Sequence, residues 1–195
     1  MARPREFDEA TALEAAMNCF WAQGYELTSV RDLAEQMGIT GASLYNAFGD
    51  KRSLYRQALR HYLEQTVRDR VARLERLRPF PAIRTFFDEI VERSVKDRQH
   101  RGCMLVNSAL ELAPYDPEFQ KIVAEEMIFI EAFFRRSIEA GQKDGTILAI
   151  RPAAELAKLL LSVLLGIRVL ARTRPQRGVL EDAAKGVLEL LKTNA

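Results

Sequence analysis

Apolar residues recur at three- and four-residue intervals along nearly the whole chain, and no stretch shows the strict alternation of a half-buried strand. Leu13, Ala16, Met17, Phe20 and Trp21 share one face of a helix expected over about 7–23, and Gly24 stands where such helices end. After Ser29, which makes an S-x-x-D capping pair with Asp32, Val30, Leu33, Ala34 and Met37 repeat the helical spacing until Gly38. A third, short helix opens at Thr40, whose hydroxyl suits an N-cap, with Ile39 and Leu44 placed as a hydrophobic staple. A fourth starts at Asp50 and runs to about 77, where "RPFP" breaks the chain. Five more are expected at about 81–99, 103–113, 117–143, 153–172 and 179–193, separated by Gly102, "APYDP", "DGTILAIRP" and "RPQRG". The pattern predicts an all-α fold of about nine helices: four in a compact front, five in the rear, the fourth joining the two.

The third helix departs from the composition of a solvated one. From Ile39 to Gly49 there is no charged residue, although Gly41, Ala42, Ser43, Tyr45 and Asn46 fall on its outer side. Two helices joined by "MGIT" have the form of a helix-turn-helix, whose second helix enters the DNA major groove by its N-terminal residues. A carboxylate there would repel phosphate. Gly41 and Ala42 permit close approach, Ser43 and Asn46 offer donors and acceptors to base edges, and Tyr45 reaches a phosphate or sugar. Lys51 and Arg52 follow in the first turn of the fourth helix, where positive charge opposes the helix dipole unless an anion such as a phosphate sits nearby. A short buried helix with no DNA role is the alternative reading of the same residues. Arg3 and Arg5 are either a basic arm for the backbone or minor groove, or a frayed terminus.

The stretch "TSVRDLAEQMGITGASLYNAFGDKRSLY" resembles the DNA-binding region of the TetR family of bacterial transcriptional regulators. The resemblance rests on Thr28, Ser29, Ala34 and Gly38, then Leu44, Tyr45, Phe48 and Lys51, and extends over about residues 7–60. It implies a TetR-like arrangement: a DNA-binding domain over 1–50 (helix-turn-helix about 29–48, connecting helix 50–77) and an effector-binding and dimerisation domain over 79–195. The implied protein is a homodimer on a near-palindromic double-stranded operator, a repressor released by a small molecule or a thiol-reactive compound. Carried over by position, Ser29, Arg31, Thr40, Ser43, Tyr45 and Lys51 face DNA. Many members have Tyr and His where this chain has Asn46 and Ala47, which removes one backbone contact and leaves base preference open.

In the rear, Leu160, Val163, Leu164 and Ile167 lie in a helix that is apolar nearly all round, and Leu180, Ala184 and Val187 mark one face of the last helix. Either they close the core of one chain, or, as the resemblance implies, they form a four-helix dimer interface. "HRGCMLVNSALELAP" places Cys103 at a helix start after Gly102, near His100 and Arg101, where a helix N-terminus and cations favour thiolate. The Gly-Cys resembles one branch of the family, in some members of which this cysteine serves as an electrophile or oxidant sensor. A buried structural thiol is the other reading. Asn107 and Glu111 share a face with Cys103 and are expected as the polar groups of a ligand pocket, with Phe87 and Phe133 among its apolar walls.

Composition narrows the remaining classes. Of 195 residues, 48% are apolar and 29% charged, ordinary for a globular protein, and the net charge of +2 says nothing about partners. Residues 1–60 carry seven Lys or Arg against eight Asp or Glu, so a nucleic-acid argument rests on where charges sit. Two distant cysteines, Cys19 and Cys103, fit a reducing compartment, and neither a signal peptide nor a membrane span is expected, so the chain reads as cytoplasmic. Two histidines, no zinc-type cysteine pair, no P-loop and no nucleophile elbow give no expectation of a metal, a cofactor or catalysis. A cysteine-dependent enzyme built on Cys103 and His100, or a helical interaction module without DNA, stands as the alternative.

Overall fold

Nine helical segments form where the hydrophobic spacing places them among residues 7–192, the part of the chain that the computed structural model describes. They are α1 (Glu9–Gln23), α2 (Val30–Met37), α3 (Gly41–Phe48), the rod α4 (Lys51–Leu63) with α5 (Asp69–Leu74), α6 (Pro79–Lys96), α7 (Met104–Glu111), α8 (Pro117–Asp144), α9 (Ala153–Thr173) and α10 (Arg177–Glu189). The rod is the fourth expected helix with a π turn, Glu64–Arg68, set into it. Single π turns inside α-helices are uncommon and sequence spacing carries no sign of them. Arg3 and Arg5 lie outside the described residues.

Local chemistry fixes the helix ends of the front. Asp8 accepts from the amides of Ala10 and Thr11, Ser29 and Asp32 form a reciprocal capping box, Thr40 accepts from the Ser43 amide, and Asp50 from that of Ser53. Gly38 ends α2 in the left-handed region at φ 65°. Inside, Leu33, Leu44, Leu54 and Phe20 are fully buried, and Tyr55 and Tyr25 meet Phe20 edge-on and stacked respectively. α1 lies across α4, and α2 packs on α1.

The rear core is built on α6, α8, α9 and α10, with Phe86, Phe87, Phe133 and Phe134 in mutual ring contact. The short α7 is the keystone, touching α4 on the front side and α8 and α9 behind. This packing corrects one expectation. Leu160, Leu164, Ile167, Leu180, Ala184 and Val187 are all buried inside the single chain, because α9 and α10 turn those faces onto α8, α6 and each other. Only Val163 of the expected interface set reaches the surface, half-buried. The outward apolar stripe of α9 is instead Leu159, Val163, Gly166 and Val169, and that of α10 is Val179, Ala183, Gly186 and Leu190.

Candidate nucleic-acid interface and the cavity behind it

α3 buries Leu44 and Phe48 on the front core and turns Ala42, Tyr45 and Asn46 outward. Tyr45 is 53% exposed, a large amphipathic ring with no internal reason to be there. Gly41 opens the helix at a position where an added Cβ would meet no atom within 4 Å. Glycine in a helix costs about 1 kcal/mol relative to alanine, and nothing inside the chain requires it. Smallness at Gly41 is therefore an outward property. Thr40 and Ser43 share a hydroxyl–hydroxyl bond of 2.9 Å and remain reachable from solvent, as do Ser29 and Arg31 at the start of α2. Ser29 and Arg31 stand at the N-terminus of α2, and Thr40, Gly41, Ala42, Ser43, Tyr45 and Asn46 stand in α3 or at its N-terminus; the free amides of both helix starts favour anions.

The first turn of α4 separates two cations that the sequence treats alike. The Lys51 ammonium sits 4.3 Å from the centre of the Tyr25 ring, half-buried beside the α3 face. Arg52 faces the other way. Its Nε donates to Asp116 at 2.7 Å and its Nη2 to Glu118 at 2.7 Å, while Arg56 donates to the second Glu118 oxygen at 2.8 Å. The hydrogen bonds from Arg52 and Arg56 hold both carboxyls below the usual carboxylate range. The anion that offsets Arg52 at this helix start thus comes from the α7–α8 connection and not from outside. This correction turns Arg52 into a strut between front and rear.

A second strut runs through α7. Glu111 accepts the Tyr25 amide at 2.8 Å, and a Cβ on Gly24 would lie 2.8 Å from its Oε1. Gly24 also holds a φ of 87°, so a side chain there would strain the backbone and push the Glu111 carboxylate off the Tyr25 amide. Farther back, the Tyr55 hydroxyl meets Ser108 Oγ at 2.8 Å. Asn107 is 4% exposed, donating to the Arg101 carbonyl and accepting from Arg172 at 2.9 Å. Asn107 and Glu111 thus brace α7 through partners inside the chain, and neither lines the cavity at Cys103; the spacing argument fixes a shared face but not what that face meets.

Cys103 is the N-cap of α7, 8% exposed, at a cavity of about 30 Å³ bounded also by Tyr62, Arg70, Arg93, Val106 and Arg168. The Tyr62 hydroxyl donates to its sulfur at 3.5 Å. Burial alone pushes the thiol up, but the Arg168 guanidinium, the Tyr62 hydroxyl and the Val106 amide outweigh it, and the net direction is down. Tyr62 moves the opposite way, pushed up to about 12 by burial and by the charge at Cys103. His100 is exposed, and Arg101 is held by Asp97 and stacked 3.8 Å over Trp21, so neither supplies the positive potential expected of them. That role belongs to Arg168, one of two charges, with Lys158, inside the apolar run 156–170. Phe87 and Phe133 are fully buried and lie outside this cavity; Phe86 lines it. Cys19 contrasts with Cys103: it is buried in α1 and pushed up by burial.

An uncharged α3 face of mostly small residues, following a short helix with exposed Ser29 and Arg31 at its start and backed by a half-buried lysine, defines a helix-turn-helix DNA-binding protein. Residues 12–58 match the family of bacterial regulatory proteins described as tetR, and residues 79–187 match the tetracycline repressor-like C-terminal domain. The chain belongs to the TetR family of transcriptional regulators, DNA-binding proteins and not enzymes. Among its relatives, the uncharacterized HTH-type transcriptional regulator YezE of Bacillus subtilis (strain 168) is 34% identical over 146 residues, 74% of this chain and 75% of that protein. The HTH-type transcriptional repressor ComR of Escherichia coli (strain K12) is 28% identical over 172 residues, 87% of this chain and 82% of that one. A solved structure of a cysteine mutant of the TetR family regulator CifR, complexed with 26-base-pair operator DNA, superposes with a TM-score of 0.86 at 35% identity, covering 97% of this chain and all of that one.

Proposed function

We propose that the chain is a cytoplasmic repressor that binds a near-palindromic operator as a homodimer, reading bases with Ser43 and Asn46 and gripping backbone with Ser29, Arg31, Thr40, Tyr45 and Lys51. The observation that carries this reading is the α3 surface, free of charge and small where nothing inside the chain requires it. The operator complex of the CifR relative supports it. On this reading the division of labour falls at the connecting helix, with DNA binding in 1–50 and effector binding and dimerisation in 79–195. The outward stripes of α9 and α10 supply the dimer face, since an exposed row of Leu159, Val163 and Val169 beside Gly166 allows close helix approach. Cys103 is the effector-responsive thiol. Its lowered thiol, its position capping α7 and the two struts from that region to the front support this role.

The experiment is selection of bound duplexes from a randomised library. The expected product is a two-fold symmetric site with half-sites about 34–36 Å apart, or a multiple of that spacing. Asn46→Ala and Ser43→Ala should change the enriched bases, each removed base contact weakening the original site by about 1–3 kcal/mol. Enrichment of no sequence, or an unchanged consensus in both variants, removes α3 as the reading helix.

A further inference from the structure

We infer that Arg168 is the counter-charge of a Cys103 thiolate, and that the charge left on the sulfur after modification, more than the bulk added to it, decides whether the protein releases DNA. The inference rests on Cys103 as the effector-responsive thiol and adds what kind of reagent acts there.

Arg168 is 4% exposed in the C-terminal half of the long, leucine-rich α9. Its Nη1 donates to Ser94 Oγ at 2.9 Å and its Nη2 to the Gly102 carbonyl at 2.5 Å, both neutral, and its Nε has no partner. Among the described residues no carboxylate forms an ion pair with it. A buried guanidinium needs a compensating anion. The charged and titratable groups lining this cavity come from each element around it: Tyr62 from α4, Arg70 from α5, Arg93 from α6, Cys103 before α7 and Arg168 from α9, while α8 contributes Ile130. Arg70 is already paired with Glu89 at 3.0 Å, and Arg93 stacks on the rings of Tyr62 and Trp21. Among the described groups lining the cavity, the Tyr62 hydroxyl is pushed up to about 12 and stays neutral, which leaves the Cys103 sulfur as the group that offsets Arg168. Gly102 fits the same design, since a Cβ there would lie 2.6 Å from the Arg172 side chain and 3.3 Å from the Arg168 carbonyl.

An uncharged electrophile removes that offset. With iodoacetamide the thiolate sulfur displaces iodide: an S–C bond forms, the C–I bond breaks, and iodide leaves with its electron pair. No proton moves when the sulfur reacts as the thiolate inferred above; from a thiol, the proton passes to bulk solvent in the same step. The neutral thioether leaves Arg168 buried without a counter-charge, in a cavity of about 30 Å³ that admits no more than about one water. Arg93 touches both Tyr62 and Trp21 of α1, so a shift at this cluster reaches the front domain directly. Iodoacetate reacts by the same step and adds a group of nearly the same size, but leaves a carboxylate beside Arg168. The effector class is therefore the uncharged electrophile that leaves a neutral sulfur.

The test alkylates the whole protein with each reagent, checks single addition at Cys103 by peptide mapping with buried Cys19 as the internal control, and titrates a duplex selected by the unmodified protein. The acetamide adduct should bind at least about tenfold more weakly than unmodified protein, and the acetate adduct within about threefold of it. Arg168→Met should slow labelling of Cys103 by at least about tenfold. Equal weakening by both adducts overturns the charge inference and leaves Cys103 as the sensor. Full affinity for both overturns the inference and the sensor reading together. Should Arg168→Met fail to fold, the comparison of the two adducts on the natural sequence decides alone.

Discussion

Lys51 and Arg52 are neighbours with opposite employment, and the difference is set by what each can reach. Lys51 is steadied by the Tyr25 ring beside the α3 face, whereas Arg52 is spent on Asp116 and Glu118. Lys51→Ala should weaken binding to all duplexes alike and lower the slope of log affinity against log salt by about one, measured by anisotropy titration at several salt concentrations. An unchanged slope would take Lys51 off the phosphate backbone. Gly24 makes the second residue-scale case. Gly24→Ala meets both the positive φ and the Glu111 carboxylate, and should cost about 1–3 kcal/mol in urea unfolding. Glu126 provides a pH test. It is buried on α8, bonded by Arg68 at 2.9 Å through one oxygen while the other has no partner, and burial pushes its carboxyl above the ordinary value. A carboxyl raised by folding adds stability below its ordinary value of 4.5 and loses that contribution as pH rises through the raised one. Glu126→Gln should therefore gain stability relative to the natural chain between about pH 4.5 and neutrality, read by thermal unfolding at both ends of that range; a gain by the natural chain over that range would contradict the burial argument.

At the scale of elements, helix existence and helix ends were legible because they depend on local chemistry: the Ser29–Asp32 box, the Thr40 cap, and Gly24 and Gly38. The outward face of α3 was legible for the same reason, since leucine spacing fixes which side is buried. What lies opposite a face was not. Spacing put Leu160, Leu164 and Ile167 on α9 without saying that α8 would cover them. Likewise, it put Asn107 and Glu111 on one side of α7 without revealing Arg172 and the Tyr25 amide as their partners. The cation that acts on Cys103 comes from sixty-five residues along the chain, so no local window contains the pair. The proposed interface makes a sharp distinction. Val163→Asp and Val169→Glu should give a folded monomer in light scattering, because they charge an outward stripe, whereas Leu160→Asp buries an unpaired carboxylate and should unfold the chain. A dimer of normal affinity in both surface variants would move the interface off α9.

For the whole molecule, the arrangement ties a DNA-reading front to the rear domain, proposed above to sense the effector, through α7 and the α4–α5 rod. Contacts that carry that tie include Glu111 on the Tyr25 amide, Arg52 on the α7–α8 connection, Tyr55 on Ser108, and Arg93 on Trp21. A change at the Cys103–Arg168 pair need not travel far, because Cys103 caps the helix whose other end holds the front domain. Reversing a population from mostly bound to mostly free requires a bias of about 5.5 kcal/mol, and removing one partner of a buried charge pair costs about 3–5 kcal/mol, so two subunits acting together cover the need. All of this depends on sequence-specific recognition by α3. The most direct measurement is a pair of anisotropy isotherms at physiological salt, one on the selected duplex and one on the same bases scrambled. The account predicts affinity at least about 10³-fold higher for the selected duplex. Equal affinity for the two would contradict it.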